Sequence, residues 1–470
     1  MFTKSSHPSK SAGILCRFLL LLCISLPTGC ATTSLFVPYP VQLLPLREQM
    51  VNKEYGQVRE QLSRYTNGRD RLLYLLERGR VAQIARDYPA SIRDFERAIA
   101  IFEQNEAKAR ITLTGGAAQT SALLTNDNAL PYPGEPYERV FVHHFQALNY
   151  LFTGDREAAL VEIRRANLEQ KLALERHERE LAEAEERDRE RELAPFSSLQ
   201  RAAARVKNSF QNAYTFYLSA LIYESAGELN DAYIDYRKAW EIHPDNRYLQ
   251  NDLLRLARRL GFTEEYRQLR ETLALGEPRE PGPDEGELVI LFEQGFVPYK
   301  SEVAIPLWVD THVEQLIAFP TYRIAPHASP RLRIALAGHP LGDTQPIVEV
   351  QALAAKALEE RLPAMMARQT LRFAAKRELS RTAGKKWGEH AELAMEILNL
   401  VTEQADRRSW LTLPENAQIF RHILPAGKQR LNLTDGTGTH TVEVTIRPGR
   451  ITLLHIIDTK GIFHDDWIIM

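Results

Sequence analysis

The side chains that could do chemistry in this sequence are few and unevenly placed. All three thiols, Cys16, Cys23 and Cys30, fall in the first thirty of 470 residues. No cysteine remains beyond them to close a disulfide, ligate a metal or serve as a nucleophile. Imidazoles and carboxylates come next. His143 and His144 are adjacent, so on a helix they point about 100° apart and cannot chelate one ion together. His464, Asp465 and Asp466, beside Trp467, read either as a divalent-cation cluster or as a polar chain end. In ADRRSWLTLP, Asp406, Arg408 and Trp410 could grip a peptide or sugar by bidentate bonding and stacking, or could lock a helix to a strand. The chain has no GxSxG, P-loop or GxGxxG. The expectation is a non-enzyme with no catalytic residue, no metal and no cofactor.

The cysteines belong to a three-zone N-terminus. Lys4, Lys10 and Arg17 precede or enter an apolar run from Ile14 to Leu26, which ends at Pro27, Thr28, Gly29 and Cys30. This is the pattern of a secretory signal, too short to hold a bilayer as a stable span. Gly29-Cys30 resembles the lipobox of bacterial lipoproteins. The resemblance implies removal of residues 1–29, a diacylglycerol on the Cys30 sulfur and an acylated new amino group. Ala31, where Asp would mark inner-membrane retention, implies an outer-membrane, periplasm-facing protein. The next stretch, ATTSLFVPYPVQLLP, carries three prolines and is expected to be an extended lipidated tether over 30–47.

Composition is that of a soluble protein, with 44% hydrophobic and 26% charged residues and a formal net charge of −2. Loss of the leader with its three cations would leave about −5. Nothing in this balance favours nucleic acid. The length suits two or three domains, each standing on its core without disulfides.

Those domains divide by pattern. FQNAYTFYLSALIYESAGELNDAYIDYRKAWEIHPDN resembles a tetratricopeptide repeat. Phe216, Ser219, Ala220 and Tyr223 match its first helix, Gly227 its turn, Ala232, Tyr236 and Ala239 its second helix, and Pro244 its end. Small residues there let two helices approach while aromatics fill the gaps. The same template fits Leu75, Gly79, Ala82, Ser91, Phe95 and Ala98, and again Ala147, Tyr150, Gly154, Ala159, Ile163 and Ala166. Tyr248 to Leu275 reads as a capping helix pair, completing an all-α array over 48–275. Two features interrupt it. The Gly-, Asn- and Pro-rich loop from Ile111 to Val140 cannot be one helix. It is either a plug over the groove or a partner contact, and so is the helix face that follows it. The contacts would be Thr125, Asn126, Asp127, Tyr132, Tyr137, Glu138, His143 and Asn149. The Glu/Arg run from Glu175 should extend one helix to about 40 residues as a solvated projection.

GEPREPGPDEGEL marks a linker over 276–287. The rest, 288–470, mixes strand-like LVILF, SEVAIPLWV, QLIAFPTY and RLRIAL with a helical span from Val350 to Ala405, read as two helices broken near Thr382 to Lys385. AQIFRHIL, QRLNLTD, HTVEVTI and ITLLHII follow as a small antiparallel module over about 415–460. That segment loosely resembles the carbohydrate-associated PEGA domains. The expected class is α+β: a tetratricopeptide-like superhelix followed by a mixed α/β region.

The order of lipobox, irregular repeats, YPGEPYERVFVHHFQALNYL, GELVILFEQGFVPYK and ADRRSWLTLP resembles a family of bacterial tetratricopeptide lipoproteins known mainly as uncharacterised. The resemblance implies a lipid-anchored scaffold that holds an envelope protein or peptide in its groove, in cell-wall or envelope assembly. The alternatives are a polysaccharide-export or secretion accessory, which a PEGA-like tail would suit, and a peptidoglycan-acting enzyme in the second half.

Overall fold

The computed structural model describes residues 37–113, 127–184, 194–309, 312–324, 329–387, 404–436 and 438–470. Cys30, the leader, Thr125 and Asn126 lie outside these residues. The first half is a chain of helix hairpins: α1 (Tyr39–Val51), α2 (Tyr55–Ser63), α3 (Arg71–Ile84), α4 (Tyr88–Leu113), α5 (Pro136–Phe152), α6 (Arg156–Ala184), α7 (Ser197–Ala203), α8 (Ala213–Ala226), α9 (Leu229–Ile242), α10 (Arg247–Arg259) and α11 (Thr263–Leu273). The signature small residues sit where helices touch. A Cβ on Gly79 would lie 2.6 Å from the Phe95 ring, and Ser91 Oγ donates to the Gly79 carbonyl at 2.7 Å. Ala147, Ala159, Ala166, Ala220, Ala232 and Ala239 are all fully buried. Gly154 and Gly227 turn the α5–α6 and α8–α9 hairpins in the left-handed region, at φ 84° and 82°. Asn212 caps α8 by accepting from the Tyr214 and Thr215 amides.

Among its described residues, the second half builds three sheets and one helix. Its strands are β1 (Glu285–Gln294), β2 (Ser301–Val309), β3 (His312–Thr321), β4 (Arg333–Leu336), β5 (His339–Asp343), β6 (Gln345–Glu349), β7 (Asn416–Pro425), β8 (Gly427–Thr434), β9 (Thr439–Ile446), β10 (Ile451–Asp458) and β11 (Phe463–Ile469), with α12 (Val350–Trp387) between β6 and β7. The main sheet has the order β11-β10-β1-β7-β6. β1 runs parallel to β10 and antiparallel to β7. A second sheet orders β5-β4-β8-β9, and β2–β3 is a hairpin. GELVILFEQ is buried along its length because helices cover one face of β1 and other elements the opposite face. The pairs Val289↔Leu453 and Leu291↔His455 put Glu293, His455 and Arg421 on one face of this sheet, and that face meets the helical array.

The class expected from the sequence, α+β, is the class observed. Several boundaries differ. The tether region becomes helical at Tyr39: Pro40 falls in the first turn, where its missing N–H costs nothing, and Leu43, Leu46 and Met50 bury one face despite Pro45. The linker gives way to strand at Glu285, and Glu287 is already buried. α12 runs unbroken through Thr382 to Lys385, because one glycine, Gly384, does not stop a helix rich in Ala, Lys and Arg. The 415–460 strands do not form a separate sheet: β7 and β10 join the main sheet, β8 and β9 the second. The apparently polar chain end is strand β11, paired with β10.

Candidate partner-binding groove

Most residues expected to meet a partner are instead used inside the chain, along the seam between array and sheet. Arg80 and His455 both bond Glu293, and Tyr214 donates to the same carboxylate at 3.0 Å. Glu77 accepts the amides of Leu411 and Thr412 at 2.6 and 3.0 Å. Glu138 accepts the Trp410 amide at 2.7 Å, the Glu135 amide at 3.0 Å and the Tyr132 hydroxyl at 2.7 Å. Trp410 lies between Phe95 and Phe145. Arg408 reaches Asp70 at 2.5 Å, Asp406 at 2.8 Å and the carbonyls of Leu130 and Asp127.

The helix face after the loop is closed in the same way. His143 meets Glu162 at 2.6 Å, and Asn149 bonds Ser91 and Gln83. Tyr132, Tyr137, Glu138, His143 and Asn149 are all buried, and Asp127 is held by Arg372 at 3.0 Å. The side of α3 and α5 that carries Glu77, Glu138 and Phe145 is therefore covered by the chain's own second half, while His143 and Asn149 are satisfied within the array. These side chains do not offer themselves to another molecule. DRRSWLTL locks helices to sheet.

The seam fixes its own protonation. Burial pushes the Glu138 carboxyl up to about 7, reinforced by the charge of Glu135. Burial also works to raise Glu293, but Arg80 and His455 hold it down to about 2. Asp406 is likewise held to about 2 against burial, chiefly by Arg408. His144, enclosed beside Tyr214, is pushed down to about 3 by burial. The last strand keeps His464, Asp465 and Asp466 engaged with Tyr55, His440 and Tyr88. Among the described residues no group of three His, Cys, Asp or Glu could hold a metal ion.

One wall of the array stays open. A cavity of about 600 Å³ runs between α6 on one side and the 205–211 segment, α8 and α9 on the other, with Glu349 at the end of β6 closing one edge. Leu168, Leu174, Val206, Phe216 and Ile242 supply apolar surface. Lys171, Arg205, Lys207 and Lys238 line it together with Glu241 and Glu349, and Lys171 meets Glu175 just outside it at 4.0 Å. Arg205 bonds Glu349 at 2.5 Å, and Lys238 lies 5.2 Å from the Phe216 ring centre while bonding Asp235 at 2.9 Å. His243, pushed down by burial, adds no charge at neutral pH.

Two buried amide atoms on the α6 wall, Asn167 Oδ1 and Gln170 Nε2, have no protein partner among the described residues. Their opposite ends are fixed: Asn167 Nδ2 donates to Asp235 and Ser219, and Gln170 Oε1 accepts the Asn212 amide. Both atoms lie beneath the groove surface, and the seam has buried polar atoms of the same kind, such as Glu135 Oε2 and Ser409 Oγ. The sequence reading missed this groove: Leu168, Lys171 and Leu174 lie beside the buried Ile163, Ala166 and Gln170 on α6, and nothing local marks them as a site.

No protein-family model and no curated protein matches the chain. Two solved structures overlap about half of it. One is the crystal structure of MamA protein, at 10% identity and TM-score 0.28, covering 49% of this chain and 87% of that one. The other is the TPR2AB domain of yeast Sti1 in complex with pHSP90, at 14% identity and TM-score 0.19, covering 49% and 85%.

Proposed function

We propose that this chain is a scaffold that holds an acidic, partly apolar segment of another protein in the α6–α8–α9 groove, anchored in the cell envelope by lipid on Cys30. The observation that carries the reading is the groove itself: about 600 Å³, with Leu168, Leu174, Phe216 and Ile242 in its lining and Lys171, Arg205, Lys207 and Lys238 around it. It is a part of the helical-hairpin array that the chain does not fill with its own residues, and such arrays recognise extended segments on their surfaces. The envelope address comes from the leader and Gly29-Cys30. A periplasm-facing outer-membrane position, and service in cell-wall or envelope assembly, follow from the same resemblance.

Two assays test the halves separately. Incorporation of labelled palmitate in cells should occur in the wild type and vanish in Cys30→Ala; incorporation in both, or in neither, contradicts the anchor. Capture of an envelope protein by the purified chain should be lost in Lys171→Glu/Lys207→Glu/Lys238→Glu and should be competed by an acidic, Leu-containing peptide but not a basic one. Capture indifferent to both contradicts the groove.

A further inference from the structure

The α8–α9 hairpin and α10 are tied to the main sheet by a group of charges that does not balance. Glu224 on α8, Asp252 and Arg255 on α10, Glu287 on β1 and Arg421 on β7 meet in one cluster, and none of the five side chains is more than 11% exposed. Arg421 reaches all three carboxylates: Glu224 at 3.1 Å, Asp252 at 3.0 Å and Glu287 at 2.6 Å. Arg255 reaches Glu224 at 2.6 Å and Asp252 at 3.4 Å. Tyr236 on α9 donates to Glu224 at 2.9 Å and accepts from Arg421 at 2.9 Å. Tyr217 faces the cluster from α8, and burial pushes both phenols well up, so they stay neutral. The charges that act most strongly on each member are the other members.

Three carboxylates therefore face two guanidiniums. Full ionisation leaves one net negative charge inside the protein, which a poorly polarisable interior disfavours. The deficit falls on one residue. Glu224 accepts from both arginines and from Tyr236, and against burial the two guanidiniums hold its carboxyl well below the ordinary range. Glu287 is also held down against burial, first by Arg421. Asp252 makes both of its ion pairs through Oδ1, and its Oδ2 is buried with no partner among the described residues. Burial pushes this carboxyl up from 3.8 to about 6; Arg421 and Arg255 oppose the push, and Glu224 and Glu287 add to it.

We infer that the cluster is a proton-binding site: one solvent proton on Asp252 Oδ2 completes it, and the joint between α8–α10 and the sheet is a latch that holds best with that proton in place. The folded chain keeps the proton at a pH where the unfolded chain has released it. The stabilisation is thus present at low pH and is lost as pH rises through about 6. α8 and α9 also supply Phe216 and Lys238 to the groove, so the latch braces one of its walls from behind. The inference needs no partner in that groove.

Chemical denaturation of the purified chain between pH 4 and 7 tests it. The unfolding constant of wild type divided by that of Asp252→Asn should rise on the order of a hundredfold over this range, because the amide has no proton to release. Other titrating groups, Glu138 among them, are common to both chains and cancel in the ratio. Glu287→Gln leaves two carboxylates facing two guanidiniums. In that background the same ratio should turn at a lower pH, closer to an ordinary carboxyl, because the buried excess charge is gone. A purely structural role for Asp252 would not move that midpoint. Infrared difference spectra of the folded proteins at pH 5 should show a protonated-carboxyl band in wild type that is missing from Asp252→Asn.

A ratio that stays flat across the range overturns the inference, and so does a midpoint that Glu287→Gln leaves unmoved. Failure of Asp252→Asn to fold at any pH overturns it as well, because a neutral side chain of that shape is the form the proton produces.

Discussion

The seam around Trp410 and the groove around Lys171 are built from the same kind of helix hairpin, yet the first is covered by the chain's own second half and the second keeps about 600 Å³ of space. At the seam, Glu77, Glu138, Asp70 and Glu293 each meet donors from the chain's own second half. At the groove, the space stays open between α6, the 205–211 segment, α8 and α9, and no described segment of the second half enters it beyond Glu349 at its edge. Buried ionic seams specify one arrangement when every member is satisfied, and they are costly to break on one side only. A wall that the rest of the chain does not cover is available to something else. Position along the array therefore decides whether a repeat face is structural or free to recognise.

The largest effect should come from breaking the seam on one side. Arg408→Ala removes the guanidinium that bonds Asp70 and Asp406 and should cost about 3–5 kcal/mol in chemical denaturation. A loss under about 1 kcal/mol would mean that the seam is peripheral.

Next is the protonation of Glu138. Its carboxyl is pushed up from an ordinary 4.5 to about 7 in the folded chain. Between those values the folded state holds a proton that the unfolded state releases. Its contribution thus stabilises at low pH and is lost as pH rises through about 7, by about 3 kcal/mol in all. His144 and His464, pushed down to about 3 and 4 by burial, act oppositely, since their folded forms stay neutral while the unfolded chain charges below about 6.5. The difference in stability between wild type and Glu138→Gln across pH 4.5–7 isolates the carboxyl. It should slope in the stated direction; a flat difference would show that Glu138 titrates normally.

Smaller again, Gly79→Ala should cost about 1–3 kcal/mol, because the added methyl meets the Phe95 ring. Thermal melts of Gly79→Ala beside Gly154→Ala separate the reasons: the first is crowded, whereas the second has open space and only a strained φ. The smallest effects on stability belong to the groove. Lys171→Gln, Lys207→Gln and Lys238→Gln should each change unfolding free energy by less than about 0.5 kcal/mol while weakening partner capture.

Much of the fold could be read in advance where one physical signal dominates. Gly79, Ser91 and Phe95 announced a close helix crossing, and LVILF and ITLLHII announced strands. What could not be read depends on pairing between distant segments. Glu138 and His143 looked like polar residues of a contact surface because nothing local shows that Trp410 and Glu162 will satisfy them. β11 looked like a polar chain end because His464, Asp465 and Asp466 hide the alternation of a strand whose partners lie in α2, β9 and α4. The groove was illegible for the same reason: Leu168 and Lys171 gain meaning only when α8, α9 and the 205–211 segment stand opposite.

Photo-crosslinking in living cells tests the contrast between seam and groove most directly. A photoreactive residue at Lys171 or Leu168 should capture another protein, while one at Tyr137 or Asn149 should yield only links within the chain. Capture of a partner from Tyr137 or Asn149, with only internal links from Lys171 and Leu168, would contradict the account.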